Sequence, residues 1–239
     1  MSGRRRAARP AGRRGRLVAA ACAAVFVVVG IGAVAWVFLG HDQIHQPRSR
    51  DAGAESSPMS TGQGSERDAV PSACDTLSKS VADKLAPGAD RSATLATQSD
   101  EHSECAWSRY GSRTRQLSVE LRALAAGGGA SATDTATRTF SDEWHADRDG
   151  KDLSDGVKVR DSRGVSGVGE QAYVVYTVDA SAAIGEAIAN ARLGNVLITV
   201  HYSGGDHLDA AGTPLSSHTA GDGALEAARD VVSKLESHS

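Results

Sequence analysis

The chain has 239 residues and a formal net charge of −3, with 40% hydrophobic but only 4% aromatic residues. The charge is distributed unevenly: residues 1–71 carry 10 basic and 5 acidic side chains, whereas residues 72–239 carry 16 basic and 24 acidic ones. The acidic C-terminal part lacks the basic footprint that contact with phosphate groups requires. The composition therefore argues against nucleic-acid binding.

Residues 17–39 form an apolar stretch of 23 residues without a charged side chain. As a helix this stretch is about 34 Å long, slightly more than the roughly 30 Å hydrocarbon core of a bilayer. Seven Arg residues and no acidic residue precede it, and basic flanks stay in the cytoplasm. We therefore predict a cytoplasmic segment 1–16, whose Arg cluster contacts anionic lipids, a transmembrane helix 17–39 and an extracellular C-terminal part.

Two alternatives to an uncleaved anchor arise from the same stretch. Ala33-Val34-Ala35 precedes Trp36 with the small-x-small pattern of a signal-peptidase site, but the apolar run is longer than a usual signal sequence and continues past that site. Cys22 suggests a lipoprotein, but too few apolar residues separate it from the last Arg. The length favours a single-pass signal anchor, with cleavage after Ala35 as the remaining alternative.

Residues 40–71 are rich in Ser, Gly, Gln and charged side chains and contain few large apolar residues. Such a composition cannot bury a core, and it predicts a disordered linker ahead of a folded domain at 72–239. Cys74 and Cys105 form an even pair in the exported part, where disulfides persist. We predict a disulfide between them, with two separate buried thiols as the alternative.

Hydrophobic periodicity within 72–239 predicts three helices and a set of strands. The stripe of Ala132, Ala136, Phe140 and Trp144 should face the core, and Gly194-Asn195 is a two-residue hairpin signature. We predict an α+β fold with a largely antiparallel sheet and about three packing helices. The predicted helices are 72–86, 131–148 and 220–235, and the predicted strands are 92–98, 104–110, 114–123, 157–160, 172–179, 186–193 and 196–202.

Three motifs suggest chemistry, but each also fits a simpler interpretation. Residues 167–172 match the GxGxxA form of a dinucleotide fingerprint, yet strand-forming residues follow where a helix is required. Residues 147–155 have the oxygen density of a calcium loop but not the EF-hand spacing. Two His and two Asp residues near the end of the hairpin could hold zinc, but nothing in their spacing makes them converge. These four are His201, Asp206, His207 and Asp209. We assign no catalytic, cofactor-binding or metal-binding residue.

The order of the motifs resembles a family of actinobacterial envelope proteins of unknown function, usually lipoproteins. More loosely, it resembles the extracellular sensor domains of mycobacterial receptor kinases. The resemblance implies an exported α+β domain with a Cys74–Cys105 disulfide and no established catalytic residue. The bias towards Arg over Lys, with abundant Ala and Gly, is typical of such high-GC bacteria. The motifs are Cys74-Asp75-x-Leu77, Cys105-x-Trp107, Gly167-Val168-Gly169-Glu170-x-Ala172-Tyr173 and Gly194-Asn195-Val196-x-Ile198-x-Val200-x-Tyr202.

We therefore expect a non-enzymatic binding or sensing domain, held outside the cell membrane by a single span. Its ligand is expected to be a cell-wall component, a small molecule or a protein, and no cofactor is expected. An envelope hydrolase or a metal-dependent enzyme is the alternative function. Besides the ligand, the expected partners are the membrane lipids around the span.

Overall fold

A computed structural model describes residues 66–94, 98–207 and 211–237 of the chain. The predicted transmembrane helix 17–39 and all but the last residues of the predicted linker 40–71 lie outside these ranges. Among the described residues, no helix has both the length and the apolar character that a membrane span needs.

The described residues form four helices and an eight-stranded antiparallel sheet, which confirms the predicted α+β class. The strand order is β1-β2-β3-β7-β6-β5-β4, and the short β8 pairs with β7. In chain order the elements are α1 Ala73–Thr76, α2 Lys79–Leu85, β1 Asp90–Ala93, β2 His102–Arg109, β3 Arg113–Ala123, α3 Ala132–Asp149, β4 Val157–Val165, β5 Gln171–Asp179, β6 Ile184–Leu193, β7 Val196–Asp206, β8 Thr213–Pro214 and α4 Ser217–Glu236.

The larger hydrophobic core lies between one face of the sheet and helices α1, α2 and α4. Alternate residues of β3 point into it, as their period of two predicts: Leu117, Val119 and Leu121 are all fully buried. On α4 an apolar stripe at spacings of three and four is likewise buried: Ala224, Ala228, Val231 and Leu235. Small residues on α4 meet the alanines at 187, 189 and 191 of β6, so the helix lies close to the sheet.

Helix α3 covers the opposite face of the sheet, over β4 to β7. Its cluster is much smaller: Ala136 and Phe140 of the helix are buried against Tyr173, Val175 and Leu197 of the sheet, and the partly buried Trp144 packs beside them. The Phe140 and Tyr173 rings meet edge to face with centroids 5.1 Å apart, and Trp144 stacks on Tyr173 at 5.6 Å. The predicted stripe along α3 thus faces the sheet.

The prediction of a single helix over 72–86 was wrong, because this segment forms two separate helices, α1 and α2. Leu77 is extended (φ −88°, ψ 129°), which turns its side chain into the core. Ser78 then caps α2, accepting a hydrogen bond from Val81 N, while its own N donates to Asp230 Oδ2 of α4 at 2.6 Å. Ser72, which precedes α1, makes no side-chain capping bond. The strand predicted at 92–98 was also misplaced, because β1 spans Asp90–Ala93 and shares only residues 92 and 93 with it.

The predicted disulfide between Cys74 and Cys105 is confirmed, with an S–S distance of 2.04 Å and a Cα–Cα distance of 5.0 Å. It links α1 to β2, beside the buried Trp107. The predicted hairpin at Gly194-Asn195 is also confirmed, since Leu193 of β6 pairs with Val196 of β7 and Gly194 has the positive φ of 59° that this turn needs.

The residues just before α1 bind to the same end of the sheet as this hairpin. Asn195, which is 1% exposed, accepts a hydrogen bond from Arg67 N and donates to Arg67 O and Leu124 O, each at 2.8 Å. Arg67 Nη2 donates to Leu235 O, and Glu66 accepts from Thr133 N in the first turn of α3. These contacts, which we call the Asn195 clamp, connect residues 66 and 67 to α3, α4 and the hairpin.

Candidate functional site

The second face of the sheet carries polar side chains beside the C-terminal half of α3. We call ten of them the α3 network: His102, Glu120, Arg122, Glu143, Asp147, Tyr173, Glu186, Asn190, Thr199 and His201. The alternation along β3 predicts a solvent-facing side for Glu120, yet this side chain is buried, with the residue only 7% exposed. The neighbouring strands and α3 enclose it, so its charge must be balanced within the protein.

One part of the network is a chain of hydrogen bonds that runs from α3 across three strands. The Tyr173 hydroxyl donates to Asp147 Oδ2 at 2.8 Å, and Asn190 Nδ2 donates to both Tyr173 Oη at 2.7 Å and Asp147 Oδ2 at 3.1 Å. Thr199 donates in turn to Asn190 Oδ1 at 2.5 Å. The strand register lines these groups up, because Tyr173 pairs with Asn190 and Asn190 pairs with Thr199.

A second part consists of ion pairs centred on Arg122 of β3. Its Nη2 donates to Glu143 Oε1 of α3 at 2.7 Å, and its Nε lies 3.5 Å from Glu120 Oε1. His102 Nε2 of β2 lies 2.7 Å from the same Glu120 oxygen. Arg122 therefore joins α3 to the sheet, with Glu120 shared between a guanidinium and an imidazole.

The third part is a pair between His201 of β7 and Glu186 of β6, whose Nδ1 and Oε1 atoms are 2.9 Å apart. These two side chains, together with those of His102, Arg122 and Glu143, are each 22–30% exposed. Solutes therefore reach the rim of the network, while Glu120, Asn190 and Thr199 lie buried beneath it.

Burial and neighbouring charges raise the pKa values of five groups in the network, and for three of these, Glu143, Asp147 and His201, opposing contributions compete. Burial raises the pKa of Glu143 and outweighs its attraction to Arg122. Burial also raises the pKa of Asp147, against the hydrogen bond from Tyr173 and the charge of His201. For His201, burial alone would lower the pKa, but its bond to Glu186 and the negative charges of Glu186, Glu120 and Asp147 raise it. All three groups thus hold protons more firmly than they do in water.

Of the four residues weighed as a metal site, the three that the structure describes are not brought together. His201 pairs with Glu186, whereas Asp206 Oδ1 lies 3.4 Å from Arg115 Nη2, and Asp209 is outside the described residues. In the described ranges, no group of three or more His, Cys, Asp and Glu side chains is arranged to hold a metal ion. In the segment weighed as a calcium loop, Asp147 lies on α3 and binds Tyr173, and Gly150 ends that helix with a φ of 66°.

The GxGxxA motif forms a turn that leads into a strand, as its following residues predict. Gly167 and Gly169 have positive φ values of 76° and 55°, and β5 begins at Gln171. A Cβ atom on Gly169 would meet the Arg192 carbonyl oxygen at 2.5 Å, so this position requires glycine for space as well as for conformation. No helix N-terminus follows the motif, and a dinucleotide fingerprint needs one for the pyrophosphate.

A separate pocket of about 240 Å³ lies between the α1–α2 segment and the end of α4. Its lining is polar, but one of its carboxylates, Asp230, already accepts a hydrogen bond from Ser78 N. The polar side of this pocket therefore holds α2 against α4. The lining residues are Asp75, Thr76, Ser78, Asp230, Ser233, Lys234 and Ser237.

Most of the α3 network was not identified from the sequence. A usable signal was present in β6, where Glu186, Asn190 and Arg192 lie on the same face of a strand otherwise rich in Ala and Ile. The comparisons with known proteins add no candidate, since no family model, curated protein or solved structure matches the chain. The function is therefore inferred from the chemistry of the network and from the sequence.

Proposed function

We propose that the chain is a non-enzymatic binding or sensing domain, tethered outside the cell membrane by segment 17–39, and that the α3 network borders its ligand site. The disulfide between Cys74 and Cys105 supports an oxidising, extracytoplasmic compartment. The Arg-rich segment before residue 17 supports a cytoplasmic N-terminus and contact with membrane lipids.

The observation that carries the binding proposal is the partial exposure of the network rim. His201, Glu186, Glu143 and Arg122 are each paired with a neighbour, yet each remains accessible to solutes. Side chains of this kind recognise polar groups by exchanging one hydrogen-bond partner for another. A polar cell-wall component, a polar small molecule or a polar protein segment fits this surface. The resemblance to actinobacterial envelope proteins and to the sensor domains of receptor kinases agrees with such a role.

The proposal is tested by photo-crosslinking in the native membranes. A photoreactive amino acid replaces Ser118, which pairs with His201 in the strand register and is partly exposed on the network face. The matched control carries the same amino acid at Ser233, in the pocket on the other side of the sheet. We expect an envelope component that is crosslinked from position 118 and not from position 233. Equal crosslinking from both positions would contradict a ligand site at the network.

The same preparation distinguishes the proposed binding or sensing function from the alternative, an enzymatic function. A crosslinked ligand that is identified can be supplied to the purified full-length protein and recovered after incubation. Recovery of the unchanged ligand supports a binding or sensing domain. Recovery of a hydrolysed or otherwise altered ligand identifies an enzyme instead, with Glu143 and Asp147 as the first acid–base groups to substitute because their pKa values are raised.

A further inference from the structure

In the part of the chain that the structure describes, helices cover the second face of the sheet only in part. Helix α3 packs on it over β4 to β7, and no described helix packs on the same face of β1 and β2. Along β2 and β3 the residues that point to this face alternate with buried core residues, and pairing of the strands sets them side by side. We call the uncovered surface the open shelf. It consists of Ala106 and Ser108 of β2, Gln116 and Ser118 of β3 and Ser203 of β7.

The floor of the open shelf is uncharged and consists mostly of short side chains. All of its residues except Ser203 are partly exposed. No hydrogen bond within the described ranges engages the hydroxyls of Ser108 and Ser118. A serine hydroxyl both donates and accepts hydrogen bonds, and a short side chain on a paired strand loses little conformational entropy when a ligand binds it. The floor therefore offers neutral hydrogen-bonding groups that are already in place.

The aromatic ring of Tyr110 stands at one end of the open shelf. Tyr110 follows β2 and is 68% exposed, and among the described residues it is the one large hydrophobic side chain that is exposed. A single exposed hydrophobic residue is common on protein surfaces and carries no argument by itself. Here, however, Gln116 Nε2 donates a hydrogen bond to Tyr110 Oη at 2.8 Å, which holds the end of the ring beside the floor. The shelf thus combines neutral hydrogen-bonding groups with a planar apolar surface.

The charges around the open shelf are unfavourable for an anionic ligand. Asp90 of β1 lies opposite Ser108 at one border, and Glu186 of β6 stands at the other. Residues 72–239 as a whole carry 24 acidic and 16 basic side chains. Glu186 already has His201 as its partner at 2.9 Å, so a cationic ligand gains little there. These charges favour a ligand without net charge.

The backbone and the dimensions of the shelf narrow the class of ligand further. Peptides are recognised at the edges of sheets or in apolar grooves, whereas β3 and β7 are paired with other strands on both sides. Two strand spacings, roughly 10 Å, separate Gln116 on β3 from Glu186 on β6. A disaccharide has about this length. Its hydroxyls match those of the serines, and a sugar ring has an apolar face that packs on an aromatic ring.

We propose that the open shelf binds a neutral oligosaccharide. The ring of Tyr110 packs against one face of a sugar ring, while Ser108, Ser118 and Gln116 exchange hydrogen bonds with the sugar hydroxyls. The inference rests on the proposed function and names the class of its ligand, because the shelf adjoins the rim of the α3 network where Ser118 pairs with His201.

Binding of the purified full-length protein, held in lipid nanodiscs, to immobilised oligosaccharides tests this inference. The panel contains neutral glucan, mannan and galactan fragments and a set of tetrasaccharides that differ in charge: neutral N-acetylchitotetraose, cationic chitotetraose and anionic tetragalacturonate. We expect at least one neutral oligosaccharide to bind more tightly than every charged one. Failure of all the neutral oligosaccharides to bind, or a preference for the cationic or the anionic ones, would overturn the inference.

Substitutions on the shelf test which groups bind the selected oligosaccharide. Tyr110→Ala should raise its Kd about tenfold or more, because truncation of an aromatic anchor commonly has an effect of that size. Tyr110→Phe keeps the ring and should stay within about threefold of the wild type. Because Tyr110 is exposed, neither change disturbs the core. An unchanged Kd in Tyr110→Ala would overturn the inference.

A matched pair of leucine variants separates the shelf from the rest of the surface. Ser118→Leu removes a hydroxyl from the floor and fills the space above it, so it should weaken binding. The control is Ser233→Leu, in the pocket on the other side of the sheet, which should bind as the wild type does. Equal loss of binding in the two variants would contradict a site on the shelf.

These outcomes are distinguishable from those of the crosslinking experiment. A protein or a charged molecule crosslinked from position 118, with no neutral oligosaccharide bound, would leave the proposed ligand site in place and refute only its carbohydrate ligand. Equal crosslinking from positions 118 and 233 would instead contradict the proposed site itself.

Discussion

Removal of the Cys74–Cys105 disulfide should lower the free energy of unfolding of the domain by an amount that depends on the length of the loop that the disulfide closes. The two cysteines are 31 residues apart, and closing a loop of that length lowers the entropy of the unfolded chain by an amount worth about 3.7 kcal/mol at 25 °C. Cys105 is fully buried, and besides the disulfide α1 is joined to β2 by a hydrogen bond from Ala73 N to Ser103 Oγ at 2.9 Å. For a domain of this size, a decrease of that amount in the free energy of unfolding corresponds to a decrease of roughly 7–15 °C in the melting temperature.

The double variant Cys74→Ala/Cys105→Ala tests this value without leaving a free thiol. Its free energy of unfolding in urea is compared with that of the oxidised wild type, using the fluorescence of Trp107, which packs in the same core. The reduced wild type serves as the control and should unfold at nearly the same urea concentration as the double variant. An oxidised protein no more stable than the reduced one would show that the helices and the sheet hold together without the covalent link.

Four further predictions concern α3, the Asn195 clamp and the membrane segment. Phe140→Ala should lower the free energy of unfolding by about 3–5 kcal/mol, measured in urea, because it removes the largest apolar side chain that α3 buries. Asn195→Ala should lower it by about 1–3 kcal/mol because it removes three hydrogen bonds to partly buried backbone groups of Arg67 and Leu124, and it should speed proteolysis near residue 67; unchanged proteolysis would argue against the clamp. Protease added to intact spheroplasts should destroy residues 41–239, and their full protection would refute the predicted topology. Sequencing the N-terminus of the membrane-bound protein should find it at or near Met1, whereas a start at Trp36 would identify a cleaved signal peptide.

The elements with clear periodicity were predicted well because their burial is one-sided. The alternation in β3 and the stripes on α3 and α4 each placed apolar residues on one face, and those faces do line the two cores. The break between α1 and α2 was missed because its cause lies far away in the sequence. Ser78 is held by Asp230 of α4, and no local pattern contains that contact.

The α3 network was missed for a related reason. It forms where β3 pairs with β7, so that Glu120 lies opposite Thr199, and this pairing joins segments about 80 residues apart. The predicted helix 131–148 already contained Glu143 and Asp147, which lie four residues apart on one side of α3, but the sequence did not show which strand residues they would meet. Polar residues in a strand do not show by themselves whether a helix will cover them.

The irregular strand at one end of the sheet affects how copies of this protein behave when they meet. Strand β4 is an edge, and its register shifts between Val159 and Asp161, which leaves Arg160 without a place in the ladder. Lys158 and Arg163 add positive charge along the same edge, while the opposite edge is the four-residue β1. Bulged, charged or very short edges are poor templates for an additional strand. Neighbouring copies are therefore hindered from joining their sheets into a continuous aggregate.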